Sequence, residues 1–425
     1  MTAPDPTSKT TDYTASAGVH APAPASAPAE VSLQTASTPI VQSAPPRRGS
    51  TLLVLGIVGV VILSLLALFV VVYLIAGLGG DAFALGGIMA LIPLAIVFFG
   101  VRWIDRWERE PRLAVLFAFL WGAAVAVLIA LVVGAELDQI IVGIAGGSDF
   151  AYEFIGAAIQ APLVEETGKG LGVLILFWAA RKYFDGPVDG IVYAAWVAGG
   201  FAFTENILYF GSQLLDSGGF DTSVFEIFLI RGIMSPFAHV MFTSFTGIAL
   251  GLAARRTGAL GAIGFFLLGL IPAVLLHALW NGALFFVTDF YGYYAIVQVP
   301  LFVMAILLVL FLRRQESKLT FDRLSEYASV GWFNQVEVAA IATAQGRRQA
   351  RSWAASNGRS REMRAFIHEA TRLAFARQRI VTGRGRDAAV ADEALLLASI
   401  AESRKGLAGL AAAAQPGTAT GAPQA

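Results

Sequence analysis

The sequence predicts an all-α membrane protein, a polytopic bundle of about eight transmembrane helices followed by a small cytoplasmic helical segment. Three observations lead there. Of 425 residues, 56 % are hydrophobic and only 14 % charged, with a mean hydropathy of +0.68, which lies outside the range of soluble domains. Eight apolar runs are each long enough to cross a hydrocarbon core of ~30 Å. The loops between them alternate in charge. Cysteine is absent, which excludes disulfides, thiol nucleophiles and thiolate metal sites.

Taken in order, residues 1–50 form a Pro, Ala, Ser and Thr tract with almost no large apolar side chain until Leu33. Such a tract cannot bury enough surface to fold, so a disordered cytoplasmic tail is expected. It contains His20 and closes on Arg47 and Arg48. A cleavable signal peptide is not expected, because the first apolar run starts some fifty residues in and is too long for a signal core. The membrane domain is expected over 51–313. Its spans are Thr51–Leu78, Phe83–Ile104, Leu113–Gly134, Ala157–Trp178, Val188–Phe210, Phe225–Ala253, Leu260–Val287 and Tyr294–Leu312. The stretch Ala135–Phe154, which contains GGSD, reads as a loop that forms either a short helix or a lid.

Eight spans put both termini on one side. Arg102, Arg106, Arg109 and Arg112, then Arg181 and Lys182, then Arg255 and Arg256, then Arg313, Arg314 and Lys318 follow the even-numbered spans. The opposite loops carry Asp81, then Glu136, Asp138 and Asp149, then Asp216 and Asp221, without Lys or Arg. The positive-inside rule then makes the termini cytoplasmic. Residues 314–412 turn polar and Arg-rich. Met363, Phe366, Ile367, Ala370 and Leu373 recur at helical spacing, and a second helical run covers Asp387–Ala414. The basic residues Arg347, Arg348, Arg351, Arg359, Arg361 and Arg364 read as a solvated face near an anionic leaflet, with no nucleic acid expected. His368 reads as a surface histidine, and 413–425 as a second disordered tail.

The fourth span reads AAIQAPLVEETGKGLGVLILFW and sets Glu165, Glu166 and Lys169 inside an apolar run. Each charge near the bilayer centre costs roughly 2.5–3.5 kcal/mol on insertion scales, so the three ask for partners. Lys169 lies four residues after Glu165 and three after Glu166, so it neutralises either carboxylate and leaves one negative charge over. A structural ion pair is the bland alternative. Other spans bring complementary groups: Glu205 and Asn206 in GGFAFTENILYF, His239 in RGIMSPFAHVMFTSFTG, and His277 with Asn281 in LLHALWNG. Apart from Arg231, near the outer end of span six, the deep ionisable groups belong to one set. Counted from the outer ends at about 1.5 Å per residue, Glu165, Glu205, His239 and His277 fall within roughly 8–21 Å of that boundary. One site can therefore receive all four. Carboxylates with imidazoles and a neutral donor such as Asn281 either activate a water as general base or hold a divalent metal. No HExxH, no GxSxG turn and no pair of transmembrane aspartates is present.

At these residues the sequence resembles the PrsW family of bacterial intramembrane proteases, a branch of the superfamily that includes CAAX prenyl proteases and bacteriocin-processing enzymes. The resemblance rests on APLVEETGK, DGIVYAAWVAGGFAFTEN, HVMFT and HALWN, with DRWEREP ahead of span three, and covers roughly residues 91–312. It implies that Glu165 and Glu166 activate water while His239, His277 and Glu205 bind a metal, zinc among the candidates, or stabilise the oxyanion. Lys169, Asn206 and Asn281 would support them. It also implies a membrane-spanning or membrane-proximal protein substrate, such as an anti-sigma factor, cleaved near the extracytoplasmic side. EExxK stands here where the prenyl-protease branch has EExxxR, which argues against a CAAX substrate. A non-catalytic scaffold, for which the superfamily offers the scaffold subunit of gamma-secretase, or a transporter is the alternative. The filled motif positions speak against a scaffold, and the lack of a visible internal repeat speaks against a transporter.

Overall fold

The computed structural model describes residues 48–408 apart from 108, 182 and 384. The expected tails, up to position 47 and over 413–425, lie outside the described residues, as does Lys182. Eight long helices follow one another: α1 (Arg48–Leu78), α2 (Gly80–Ile104), α3 (Arg112–Ala145), α4 (residues 149–179), α5 (Pro187–Asp216), α6 (Thr222–Arg256), α7 (Gly261–Phe285) and α8 (Phe290–Ser329). Seven of them are long and apolar enough to cross a membrane. The eighth is α4, which misses that test because Glu165, Glu166 and Lys169 lie inside it.

The stretch Ala135–Phe154 is not a loop. Helix α3 runs on to Ala145 and α4 starts at Asp149, so both project beyond the expected span ends. Only three residues turn the chain: Gly146 and Gly147 take φ of 59° and 86°, left-handed values that strain a side chain, and Ser148 caps α4 by accepting the Ala151 N–H. Helix α8 likewise continues without a break past residue 314 to Ser329.

Helix α5 is the centre of the bundle, packed against α2, α3, α4 and α6. Small residues allow the closest crossings. A Cβ on Gly122 of α3 would sit 1.8 Å from the Val197 carbonyl oxygen, and one on Gly190 would sit 2.0 Å from that of Gly247 in α6. A side chain at Gly190 would push α5 away from α6, which carries His239, and one at Gly122 would part α5 from α3. Helices α1 and α8 do the opposite. Leu65 and Leu307 are 63 % and 58 % exposed, the surface a lipid-facing helix presents.

Beyond the bundle, α9 (Gln335–Ala342), α10 (Ala344–Ser356), α11 (Ser360–Val381) and α12 (Arg386–Ala408) enclose a second core with the end of α8. Met363, Phe366, Ile367, Ala370 and Leu373 all lie in it, and His368 is exposed. One basic residue departs from the expected solvated face. Arg347 is only 4 % exposed. Its guanidinium donates to the carbonyl of Trp107 at 2.6 Å and to Thr371 at 2.7 Å, and lies 3.5 Å from the Trp107 ring centroid. The reason is geometric: α10 faces the loop between α2 and α3, and that loop has carbonyls to offer. Arg379 bonds both carboxylate oxygens of Asp185 at 3.1 Å, which ties α11 to the loop before α5. The basic loops and the C-terminal helices thus share one end of the bundle.

Candidate active site

The site begins with a flaw in α4. Residues Gly156–Gln160 form a π turn in which Ala161 N–H reaches back five residues to Gly156. In the same register the next donor would be Pro162, which has no N–H, so the Ala157 carbonyl loses its partner. Asn281 supplies one, donating from Nδ2 at 3.0 Å. This bond holds α7 against α4 one turn from His277, which shares its helix face with Asn281.

Below the π turn the helix carries Glu165, Glu166 and Lys169. The three ammonium donors of Lys169 are all used: Glu166 Oε1 at 2.7 Å, Glu165 Oε2 at 3.2 Å and His239 Nδ1 at 3.1 Å. The ammonium also lies 4.1 Å from the Phe201 ring centroid. Because Nδ1 of His239 accepts, its proton sits on Nε2, which donates to Glu205 Oε2 at 2.9 Å. Glu205 is in turn gripped by Arg231 at 2.7 Å, and the same guanidinium reaches Asn206 at 3.1 Å. On the other side, His277 donates from Nδ1 to Glu166 Oε1 at 3.1 Å, so its Nε2 lone pair is free and lies 4.0 Å from Glu165 Oε2. Thr243 donates to the second oxygen of Glu166 at 2.8 Å.

All five residues expected to act, Glu165, Glu166, Glu205, His239 and His277, therefore meet in one hydrogen-bonded cluster. Lys169 and Asn206 belong to it as well, and Asn281 acts on its frame. Sequence reasoning set Arg231 aside. The signal was available: a deep arginine needs a carboxylate, and Glu205 had none. In a straight helix Arg231 and His239, eight residues apart, would point about 80° away from each other. The π turn Leu229–Met234 and the break at Ser235, ahead of Pro236, redirect the chain so that both reach Glu205.

The two neighbouring glutamates differ sharply. Glu166 is fully buried, with both oxygens held by Lys169, His277 and Thr243. The Glu165 side chain keeps 11 % exposure, and among the described residues its Oε1 has no hydrogen-bond partner. Three carboxylates face one ammonium and one guanidinium, which leaves the cluster one negative charge in excess when both imidazoles are neutral.

Ligand atoms of Glu165, His239 and His277 all lie within 4.8 Å of one another. One carboxylate with two imidazoles is a donor set that zinc accepts in open sites. Each imidazole already has its other nitrogen on a carboxylate, Glu166 for His277 and Glu205 for His239, as metal-binding histidines characteristically do. The residues present fit a divalent cation. It would compete with the Lys169 ammonium for Glu165 and His239, while Glu166 retains Lys169.

The profile of the PrsW family of intramembrane metalloproteases matches residues 110–309. The chain is 28 % identical over 194 residues to Protease PrsW of Clostridioides difficile, covering 46 % of this chain and 76 % of that protein. It is 35 % identical over 152 residues to Protease PrsW of Geobacillus kaustophilus, covering 35 % and 58 %. It is 29 % identical over 177 residues to Protease PrsW of Bacillus subtilis, covering 42 % and 72 %. No solved structure matches. The matched region runs from the loop ahead of α3 into α8 and contains the whole buried cluster, so this part of the chain is similar to the PrsW family of intramembrane metalloproteases.

Proposed function

We propose that this multi-pass membrane protease hydrolyses a peptide bond in a membrane-spanning or membrane-proximal protein, with Glu165 as the general base. The observation that carries the assignment is the free Oε1 of Glu165 beside a Glu166 whose oxygens are all committed. Glu165 takes a proton from water as the oxygen attacks the scissile carbonyl carbon. The resulting oxyanion is stabilised by the positive charge of the Lys169 ammonium, and the proton passes to the amine nitrogen as the C–N bond breaks. Glu166 and Glu205 orient His277 and His239, and Arg231 holds Glu205. A zinc-type ion held by Glu165, His239 and His277 would supply Lewis acidity and make the water more acidic. Glu205 is then an orienting carboxylate, in place of the ligand role that the resemblance implied.

The alternation of basic and acidic loops supports cytoplasmic termini and a site nearer the extracytoplasmic side. A single-pass regulator such as an anti-sigma factor fits that geometry. The test is cleavage of a single-pass reporter by the full chain reconstituted in liposomes. Glu165→Gln should lower the rate by about 100-fold or more. Wild-type turnover in that variant would leave the cluster a structural role.

A further inference from the structure

A second polar centre lies away from the protease cluster, at the basic end of the bundle. A cavity of about 470 Å³ opens between the end of α2 and the start of α3, a volume within the ~300–1,000 Å³ common for small-ligand sites. Its mouth is lined by Arg102, Arg109 and Arg112, and its floor by apolar side chains that include Phe98, Leu116 and Phe119. Phe98 and Leu116 are 38 % and 45 % exposed, on helices long and apolar enough to cross a membrane. Trp196 closes the floor, and its indole N–H is buried without a hydrogen-bond acceptor among the described residues.

The cations at this mouth outnumber the carboxylates beside them, three arginines to Asp105 and Glu110. Among the described residues Arg102, Arg109 and Arg112 make no ion pair. Of the two carboxylates in the lining, Asp105 accepts the Glu110 N–H at 3.0 Å and attracts Arg109 and Arg102 without pairing with either, and Glu110 accepts the Tyr193 hydroxyl. More arginines crowd in from the C-terminal helices. Burial, together with the nearby guanidinia of Arg106, Arg109 and Arg364, holds Arg351 below the ordinary arginine value. A surface with an excess of guanidinia over an apolar floor is complementary to one molecule of the surrounding solvent, an anion joined to hydrocarbon.

We propose that this cavity binds one anionic phospholipid, with the phosphate on Arg102, Arg109 and Arg112 and the first acyl carbons along Phe98, Leu116 and Phe119. A soluble phosphate satisfies the arginines but leaves the floor in water. A zwitterionic lipid fills the floor but brings its own cation to the arginines. The site does not depend on the protease chemistry, and it joins the α2–α3 loop, which Arg347 clasps, to the bilayer.

The test is lipid binding to the purified full chain in detergent, read by native mass spectrometry and by the rise of Tm with phosphatidylglycerol. One tightly bound phosphatidylglycerol is expected, with little response to phosphatidylcholine or inorganic phosphate. Arg102→Gln, Arg109→Gln and Arg112→Gln combined should weaken it about 100-fold, at roughly fivefold per arginine. A control triple, Arg314→Gln, Lys318→Gln and Arg348→Gln, removes as many exposed charges from the same end and should leave the tight lipid in place. Should the cavity triple not fold, Arg109→Gln alone should still show its fivefold loss. Equal losses in the two triples would mean diffuse attraction and overturn the proposal. Equal retention of phosphatidylcholine, or displacement of the lipid by millimolar phosphate, would overturn it as well.

Discussion

Glu165 and Glu166 are neighbours in sequence, equal in chemistry, and should behave differently when each is replaced by glutamine. Glu166 has no exposed surface and accepts from Lys169 at 2.7 Å, His277 at 3.1 Å and Thr243 at 2.8 Å. An amide keeps the shape but turns one acceptor into a donor among three donors and removes the charge that stabilises a buried ammonium. Breaking a buried ion pair from one side costs about 3–5 kcal/mol. Glu165 makes a single bond to Lys169 at 3.2 Å from a partly exposed position, and its loss should cost about 1 kcal/mol, the value of one ordinary hydrogen bond. At roughly 2–4 °C per kcal/mol for a domain of this size, Glu166→Gln should lower Tm by about 6–20 °C and Glu165→Gln by about 2–4 °C. Differential scanning fluorimetry of both variants in one detergent reads this directly. Activity should rank the other way: about 100-fold or more lost for Glu165→Gln, and about 10–100-fold for Glu166→Gln through a misdirected His277. Equal Tm shifts, or a Glu166→Gln protein as stable as wild type, would refute the division of labour between the two carboxylates.

Two further predictions concern the frame of the site. Asn281→Ala leaves the Ala157 carbonyl with neither Asn281 nor a Pro162 N–H, so stability should fall by about 1–3 kcal/mol, seen as a lower Tm with faster hydrogen exchange across residues 156–161. Arg347→Gln removes a buried cation from between Trp107 and Thr371. Exchange should then rise in the α2–α3 loop and in α9 and α10 together, while the protease helices α4 to α7 keep their protection.

Much of this architecture was legible because membrane helices obey a simple rule: apolar length locates a span, and charge locates a loop or a site. The rule worked for seven helices and for the five clustered residues, since a carboxylate or imidazole deep in an apolar run has few explanations. It failed where helix length is set by something other than the bilayer. Residues 135–145 and 314–329 are polar enough to read as leaving the membrane, yet they continue α3 and α8, because helix propensity carries on past the hydrocarbon boundary until Gly146 or Gly331 stops it. It failed again for pairings that depend on a bend. Arg231 reaches Glu205 only because a π turn and the Ser235 break rotate one part of α6 against the other, and no periodicity registers such a rotation. Arg347 taught the same lesson in the opposite sense. Its sequence neighbours Arg348 and Arg351 are exposed, and composition cannot tell one arginine of a basic helix from the next. What singles it out is a carbonyl and an indole on a loop 240 residues earlier in the chain. Charge balance is the one long-range rule that sequence alone could have applied here: with Lys169 shared by two glutamates, Glu205 required a cation, and Arg231 was the unclaimed one among the deep residues.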